Sequence, residues 1–216
     1  MKTFFQKYQH AWVFIYALIY FPWFAYLEKV VTHDYKLIQT SLDKAIPFIE
    51  FFIIPYLFWF VFMIVTILYF FFKDKNEFYR LILFLVIGMT IFLIISTLWP
   101  NGQSLRPKYF ERNNIFVDMV KHLYRTDTPT NVFPSIHVYN TLGCYIAIRK
   151  STHLKKIRGV QCATFIATTL IILSTMFLKQ HSFIDAVGAG VFAVIAYVLI
   201  YAHEYKPEHA FKHLPV

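Results

Sequence analysis

Charge is scarce in this chain. Only 15% of its 216 residues are Asp, Glu, Lys or Arg, against about 25% in an average soluble domain. Cysteine is scarcer still. Cys144 and Cys162 are the whole complement, and both sit inside apolar runs. That excludes a disulfide framework and a C-x-x-C metal or redox motif, so cysteine carries no functional signal. No internal repeat, low-complexity tract or compositional break divides the chain, and residues 1–216 read as a single domain.

In place of charge stands apolar surface. The chain is 58% hydrophobic and 20% aromatic, and its mean hydropathy is +0.51. The apolar residues fall in long uncharged runs that a soluble core would struggle to cover. The formal net charge of +9 raises nucleic acid as a partner. However, the Lys and Arg residues cluster between the apolar runs, as in membrane loops, which excludes a basic nucleic-acid face. The start, MKTFFQKYQH followed by an apolar run, is built like a signal peptide. It lacks an A-x-A-like cleavage site and stays bulky and aromatic to its end, so a retained first helix is expected.

Six stretches are apolar enough to span a bilayer, at about 11–27, 51–72, 81–99, 133–148, 160–178 and 186–202. Crossing takes roughly 20 residues, with about 17–25 tolerated. The expected fold is therefore all-α, a six-helix transmembrane bundle. The 133–148 stretch is the shortest; it is counted because Pro134 suits a first helical turn and Arg149 can snorkel. With six spans, both termini and the even-numbered loops share one side, which carries 12 of the 21 Lys and Arg residues. The densest basic run, RKSTHLKKIR at 149–158, assigns that side to the cytoplasm of a plasma-membrane protein. The loop from Pro100 to Val132 then faces out, and its 113–125 segment is patterned as an interfacial amphipathic helix.

Three polar segments emerge on the outer side of that topology: WPNGQSLRP at 99–107, FPSIH at 133–137 and STMFLKQHSFID at 174–185. Each has a chemical use. The Arg106 guanidinium presents a planar fork matching two phosphate oxygens. Ser135, at a helix start, adds a hydroxyl donor to free backbone N–H groups and the positive end of a helix dipole. His181 and Asp185 are four apart, on one face if the last helix extends that far, so the carboxylate would fix the tautomer of a histidine nucleophile. His137 is then placed as general acid for the leaving group and later as base.

These residues resemble the type-2 phosphatidic acid phosphatase superfamily, whose motifs are K-x6-RP, PSGH and SR-x5-H-x3-D. Here the second reads Pro134-Ser135-Ile136-His137. The third reads Ser174-Thr175, five residues, His181, three residues, Asp185. The first keeps Arg106-Pro107, with Trp99 at the family's Lys position and Thr175 at its Arg position. Lys179 is the expected replacement for the missing cations. The pattern is also similar to the branch containing inositol phosphorylceramide synthases, which leaves water and alcohol both open as acceptor.

The resemblance implies a metal-independent lipid phosphatase or phosphotransferase needing no cofactor. It would act through a phosphohistidine on His181, with Arg106, Ser135 and Lys179 around the phosphate. Expected partners are a lipid phosphate and membrane lipids, and no nucleic acid. The rival readings are a transporter whose ionisable residues line a pathway, and an inactive family member with a binding role. The other histidines, His10, His33, His122, His153, His203, His209 and His213, read as interfacial or loop residues. Gly188 and Gly190 read as helix-packing positions.

The topology is directly testable. In a background lacking Cys144 and Cys162, a cysteine substituted near Asn114 should react with an impermeant thiol reagent on intact cells, and Thr152→Cys should not. The reverse pattern would overturn the orientation.

Overall fold

The computed structural model describes residues 8–202. Lys2 and Lys7, and the histidine-bearing tail with His203, His209 and His213, lie outside the described residues. Helix α1, Gln9–Val30, starts as a 3-10 helix and becomes α-helical from Ala17. A short helix α2, Ser41–Ala45, precedes α3, Ile53–Lys73, which has a 3-10 lead-in from Glu50. Helix α4, Lys75–Leu98, follows after one residue. The reversal is that tight because the Asp74 side chain accepts from the Glu77 N–H and caps the new helix. A further helix α5, Ile115–Thr126, is capped in the same way by Asn114. Helices α6, Ile136–Lys150, α7, Arg158–Phe177, and α8, Phe183–Tyr197, complete the set, and a π-helical turn continues α8 from Val198 to Ala202.

Among the described residues, five helices are long and apolar enough to cross a membrane: α1, α3 with its lead-in, α4, α7, and α8 with its extension. Large apolar side chains such as Leu18 and Phe21 on α1, Val65 on α3, Phe165 on α7 and Val194 on α8 are exposed. Lipid is the solvent that such surfaces fit. The protein is an all-α membrane protein.

The stretch expected to span at 133–148 differs from the rest. It is helical only from Ile136 and 15 residues long, roughly 22 Å at 1.5 Å per residue and short of a ~30 Å hydrocarbon layer. This helix, α6, is the hub of the bundle and packs against α3, α4, α7 and α8. Asn140 and Thr141 are buried in it. Because its neighbours screen it from lipid, α6 tolerates polar residues and a short length that a lipid-facing helix would not.

The hub depends on glycine at two contacts. A Cβ on Gly88 of α4 would sit 1.9 Å from the Tyr139 ring of α6, and one on Gly143 would sit 2.6 Å from Phe84. Tyr139 is 1% exposed, stacks on Phe84 with centroids 4.7 Å apart, and donates its hydroxyl to the Phe84 carbonyl at 2.9 Å. Gly188 likewise meets Phe133, whereas a Cβ on Gly190 would meet nothing within 4 Å. Gly190 is therefore not the packing position expected of it. His10, expected at an interface, is buried and bonded to the Phe71 carbonyl.

At one end of the bundle the connecting loops are stitched together. Strand β1, Lys36–Leu37, pairs in parallel with β2, Asn101–Gly102, and Gly102 bridges to Thr130. Gly88→Val should drive a branched side chain into Tyr139 and destabilise the protein by about 2 kcal/mol or more. The check is a lowered thermal midpoint in detergent; an unchanged midpoint would mean that the α4–α6 contact is looser than described.

Candidate active site

The three polar segments meet at the stitched end. Ser135, the N-cap of α6, donates its N–H to the Asp185 carbonyl at 3.2 Å. His181 places Nδ1 3.1 Å from the Val132 carbonyl oxygen and 3.5 Å from Asp185 Oδ2. Both neighbours only accept, so the proton resides on Nδ1 and Nε2 keeps a free lone pair. His181 is buried, and Asp185 is completely so.

The link between His181 and Asp185 is not the shared helix face expected from their spacing. Helix α8 begins at Phe183, leaving His181 ahead of it. Ser182 is the N-cap, and Asp185 Oδ2 accepts from the Ser182 N–H at 2.8 Å, which closes a capping box. The carboxylate that braces the imidazole thus also starts the helix.

His137 is the second residue of α6. Its ring centroid lies 5.6 Å from that of His181, and the ring packs against Tyr56 at 4.8 Å and Trp59 at 4.4 Å. Its Nδ1 is buried with no hydrogen-bond partner. Backbone N–H groups of Ile136 and His137, at the start of α6, have no acceptor among the described residues. The Ser135 hydroxyl, expected to face phosphate, accepts from the Val138 N–H at 3.4 Å and caps its own helix.

Arg106 and Lys179 are also placed differently from expectation. The Arg106 terminal nitrogens donate to the carbonyls of Tyr124, Asp127 and Thr128 and to the Gln180 side chain. Its guanidinium carbon lies 4.5 Å over the Tyr124 ring. A cation suits these carbonyls because they form the negative end of α5. Only Nε is left without a partner. Burial pulls the Arg106 pKa down, and the neighbouring Asp127 opposes that. Burial pushes the Asp127 carboxyl up, and Arg106 opposes it in turn.

Lys179, expected as a phosphate cation, instead donates Nζ to the carbonyls of Asp43, at 2.7 Å, and Ile46. Burial lowers its pKa. It adopts φ 53, a left-handed conformation that a non-glycine residue keeps only when its surroundings impose it. The surroundings here are a cross-tie. Asp43 accepts from the Ser182 hydroxyl at 2.6 Å and the Phe183 N–H at 2.7 Å, as Lys179 reaches back to the end of α2. Burial raises the Asp43 pKa, but these donors and Thr40 outweigh it and hold the carboxyl below its ordinary value.

Sequence reasoning missed Glu28, Asp43, Asp127, Asn131 and Gln180. Glu28 Oε2 accepts from the Thr128 hydroxyl at 2.5 Å, and Oε1 from Asn131 Nδ2 at 2.9 Å. Gln180 links Arg106 to Asp127. Two signals were available: Gln180 adjoins His181, and Glu28 is the first charge after the uncharged run of the first helix. Glu50, which had no partner from sequence, pairs with Arg112 and Asn114.

Two cavities reach His137, and the smaller also reaches His181. A small one of about 40 Å³ is lined by Glu28, Asp127, Asn131, His137 and His181 among others. A larger cleft of about 570 Å³ runs between α1, α3 and α4 and ends on Asp127, His137 and Asn140, with almost entirely apolar walls.

A bundle of membrane-length helices holding two facing histidines, one braced by a carboxylate, defines a membrane protein with a histidine site under one end. The family profile described as the PAP2 superfamily, that of type-2 phosphatidic acid phosphatases, matches residues 22–199, and the chain belongs to that superfamily. Its members are phosphoric ester hydrolases and phosphotransferases. No curated protein and no solved structure matches the chain.

The Asp43 cross-tie makes a pH-dependent prediction. A carboxyl held below its unfolded pKa stabilises the fold above that value and loses the contribution as pH falls through the lowered one. Asp43→Asn should cost about 1–3 kcal/mol at neutral pH, measured by denaturation in detergent. The deficit should narrow below pH 3.8, the ordinary carboxyl value. A deficit independent of pH would refute the ionised role.

Proposed function

We propose that this protein is a membrane lipid phosphatase working by double displacement through a phosphohistidine on His181. The observation that carries the reading is the His181 arrangement: Nδ1 held by Val132 and Asp185, Nε2 free, and His137 close across the site. In the first step Nε2 attacks phosphorus and the bond to the leaving oxygen breaks. His137, protonated, gives that oxygen its proton. In the second step an O–H nucleophile takes the phosphoryl group, the P–Nε2 bond breaks, and His137 recovers a proton.

The phosphate's charge needs donors in place before reaction. The unbonded N–H groups of Ile136 and His137, with the dipole of α6 behind them, provide such a cradle, and Arg106 Nε is a further donor. Lys179 and Ser135 act as positioning residues in this reading. Metal independence is part of the proposal: the N–H cradle and the α6 dipole would stabilise the phosphate charge that a metal ion would otherwise offset. A lipid substrate is supported by the apolar cleft ending on His137, which matches an acyl chain lying in the bilayer. Phosphatidic acid, phosphatidylglycerophosphate and a polyprenyl pyrophosphate are the candidate substrates. We place the site on the extracytoplasmic face, with both termini cytoplasmic.

The alternative reading, transfer to an alcohol, is favoured by the carboxylates Glu28 and Asp127, which line the small cavity and would accept from a hydroxyl. The test uses purified protein, EDTA and the three candidate lipids. Wild type should release phosphate and form an acid-labile, base-stable phosphoenzyme. His181→Ala should do neither, with turnover down by about 10³-fold or more. His137→Ala should retain more activity on p-nitrophenyl phosphate than on lipid, because a good leaving group needs little protonation. An absolute requirement for added divalent metal, or label on His137, would overturn the mechanism.

A further inference from the structure

Asn131 is 5% exposed, yet its side-chain oxygen has no partner. The amide's orientation is dictated by its neighbour. Nδ2 donates to Glu28 Oε1 at 2.9 Å, and a carboxylate only accepts, so the amide cannot turn around. Leaving a buried acceptor unsatisfied is unfavourable by about 1–3 kcal/mol. Asn131 also adopts φ 53, with its backbone N–H donating to the Asn101 carbonyl at 2.7 Å. The strained backbone and the oriented amide thus keep a free acceptor beside the histidines.

Asn131 lines the small cavity with Glu28, His137 and His181. His137 contributes a second unpartnered atom, Nδ1. Glu28 accepts from Asn131 on Oε1 and from the Thr128 N–H and hydroxyl on Oε2, so Oε1 retains a free lone pair. With His137 neutral, as it is after the first step, the walls offer acceptors and no side-chain cation. The void of about 40 Å³ has room for a few waters, each needing roughly 10–15 Å³, or for the hydroxyl end of an alcohol.

We infer that this cavity is the binding site for the O–H nucleophile that discharges the phosphohistidine, with Asn131 Oδ1 as its hydrogen-bond acceptor and Glu28 as the residue that orients Asn131. The inference rests on the phosphohistidine reading above. The nucleophile donates one hydrogen bond to Asn131 and directs an oxygen lone pair at phosphorus. As the new O–P bond forms, the P–Nε2 bond breaks and its electron pair returns to His181. The nucleophile's proton passes to His137, neutral after the first step. Water yields inorganic phosphate and an alcohol yields a phosphate ester; both present the same O–H donor to the cavity.

Two substitutions test this. Asn131→Gly keeps the left-handed backbone and removes the acceptor. Glu28→Gln is nearly isosteric but places an amide opposite Asn131; the Asn131 amide should turn its oxygen towards the new donor and present N–H groups to the cavity. Rapid-quench measurements on radiophosphorus-labelled candidate lipids, with and without glycerol, separate the two steps. In both variants the phosphoenzyme burst should stay within about twofold of wild type while discharge slows about tenfold or more, the loss of one hydrogen bond to the reacting group. Slowing of phosphate release alone identifies water as the occupant, and slowing of glycerol phosphate formation alone identifies an alcohol; either supports the site. Unchanged discharge in both variants, or loss of the burst in both, overturns it. A wild type that forms no phosphoenzyme with any of the lipids overturns the phosphohistidine reading and this inference together.

Discussion

The turn from Leu178 to Ser182 is the constraint on which the rest of the site depends. The chain leaves α7 and starts α8 within five residues, so every polar group in the reversal must be satisfied inside the protein. The Thr175 carbonyl accepts from the N–H groups of both Gln180 and His181. Lys179 and Asp43 tie the turn to α2 from opposite directions. Asp185 closes it by capping Ser182 and bracing His181. The imidazole is consequently held by groups that are themselves held, which is what the proposed nucleophile would need.

That constraint also explains why cationic side chains are placed where they are. Helices α2 and α5 end near the site and leave carbonyls pointing outward. Lys179 answers the first set and Arg106 the second. Carbonyls at helix ends attract cations as a phosphate would, and in a water-poor region leaving them unmet is costly. Positive charge is thus drawn into the scaffold, while backbone N–H groups at the start of α6 remain for an anion. The division suits the proposed site, which would grip a phosphate only transiently.

Helix α6 sets the other boundary condition. It is short, polar and central, and it carries both the N–H cradle and His137. Its burial requires close approach to α4 at Gly88 and Gly143. The apolar cleft runs between α1, α3 and α4 and ends on Asp127 and His137. Under the proposed function, acyl chain and head group would occupy two chemically distinct spaces, which meet at His137 and Asp127.

The sequence by itself determined the membrane class, because uncharged runs of near 20 residues have no other solvent. It determined the family as well, because the spacing of Arg106, the FPSIH segment, His181 and Asp185 is a local pattern that survives substitution at Trp99 and Thr175. It also located the amphipathic helix at 115–126 to within two residues, since amphipathic periodicity is a property of adjacent side chains. What it did not determine are relations across long separations. Glu28 meets Asn131, Asp43 meets Ser182, and Lys179 meets the end of α2 across more than a hundred residues each. No periodicity encodes such pairs. The direction of the Lys179 and Arg106 side chains was decided by which carbonyls the packed helices left unsatisfied, and the bracing of His181 by where α8 begins. Those are properties of the assembled bundle, in which hydrogen-bond groups must find partners among whatever the fold brings near.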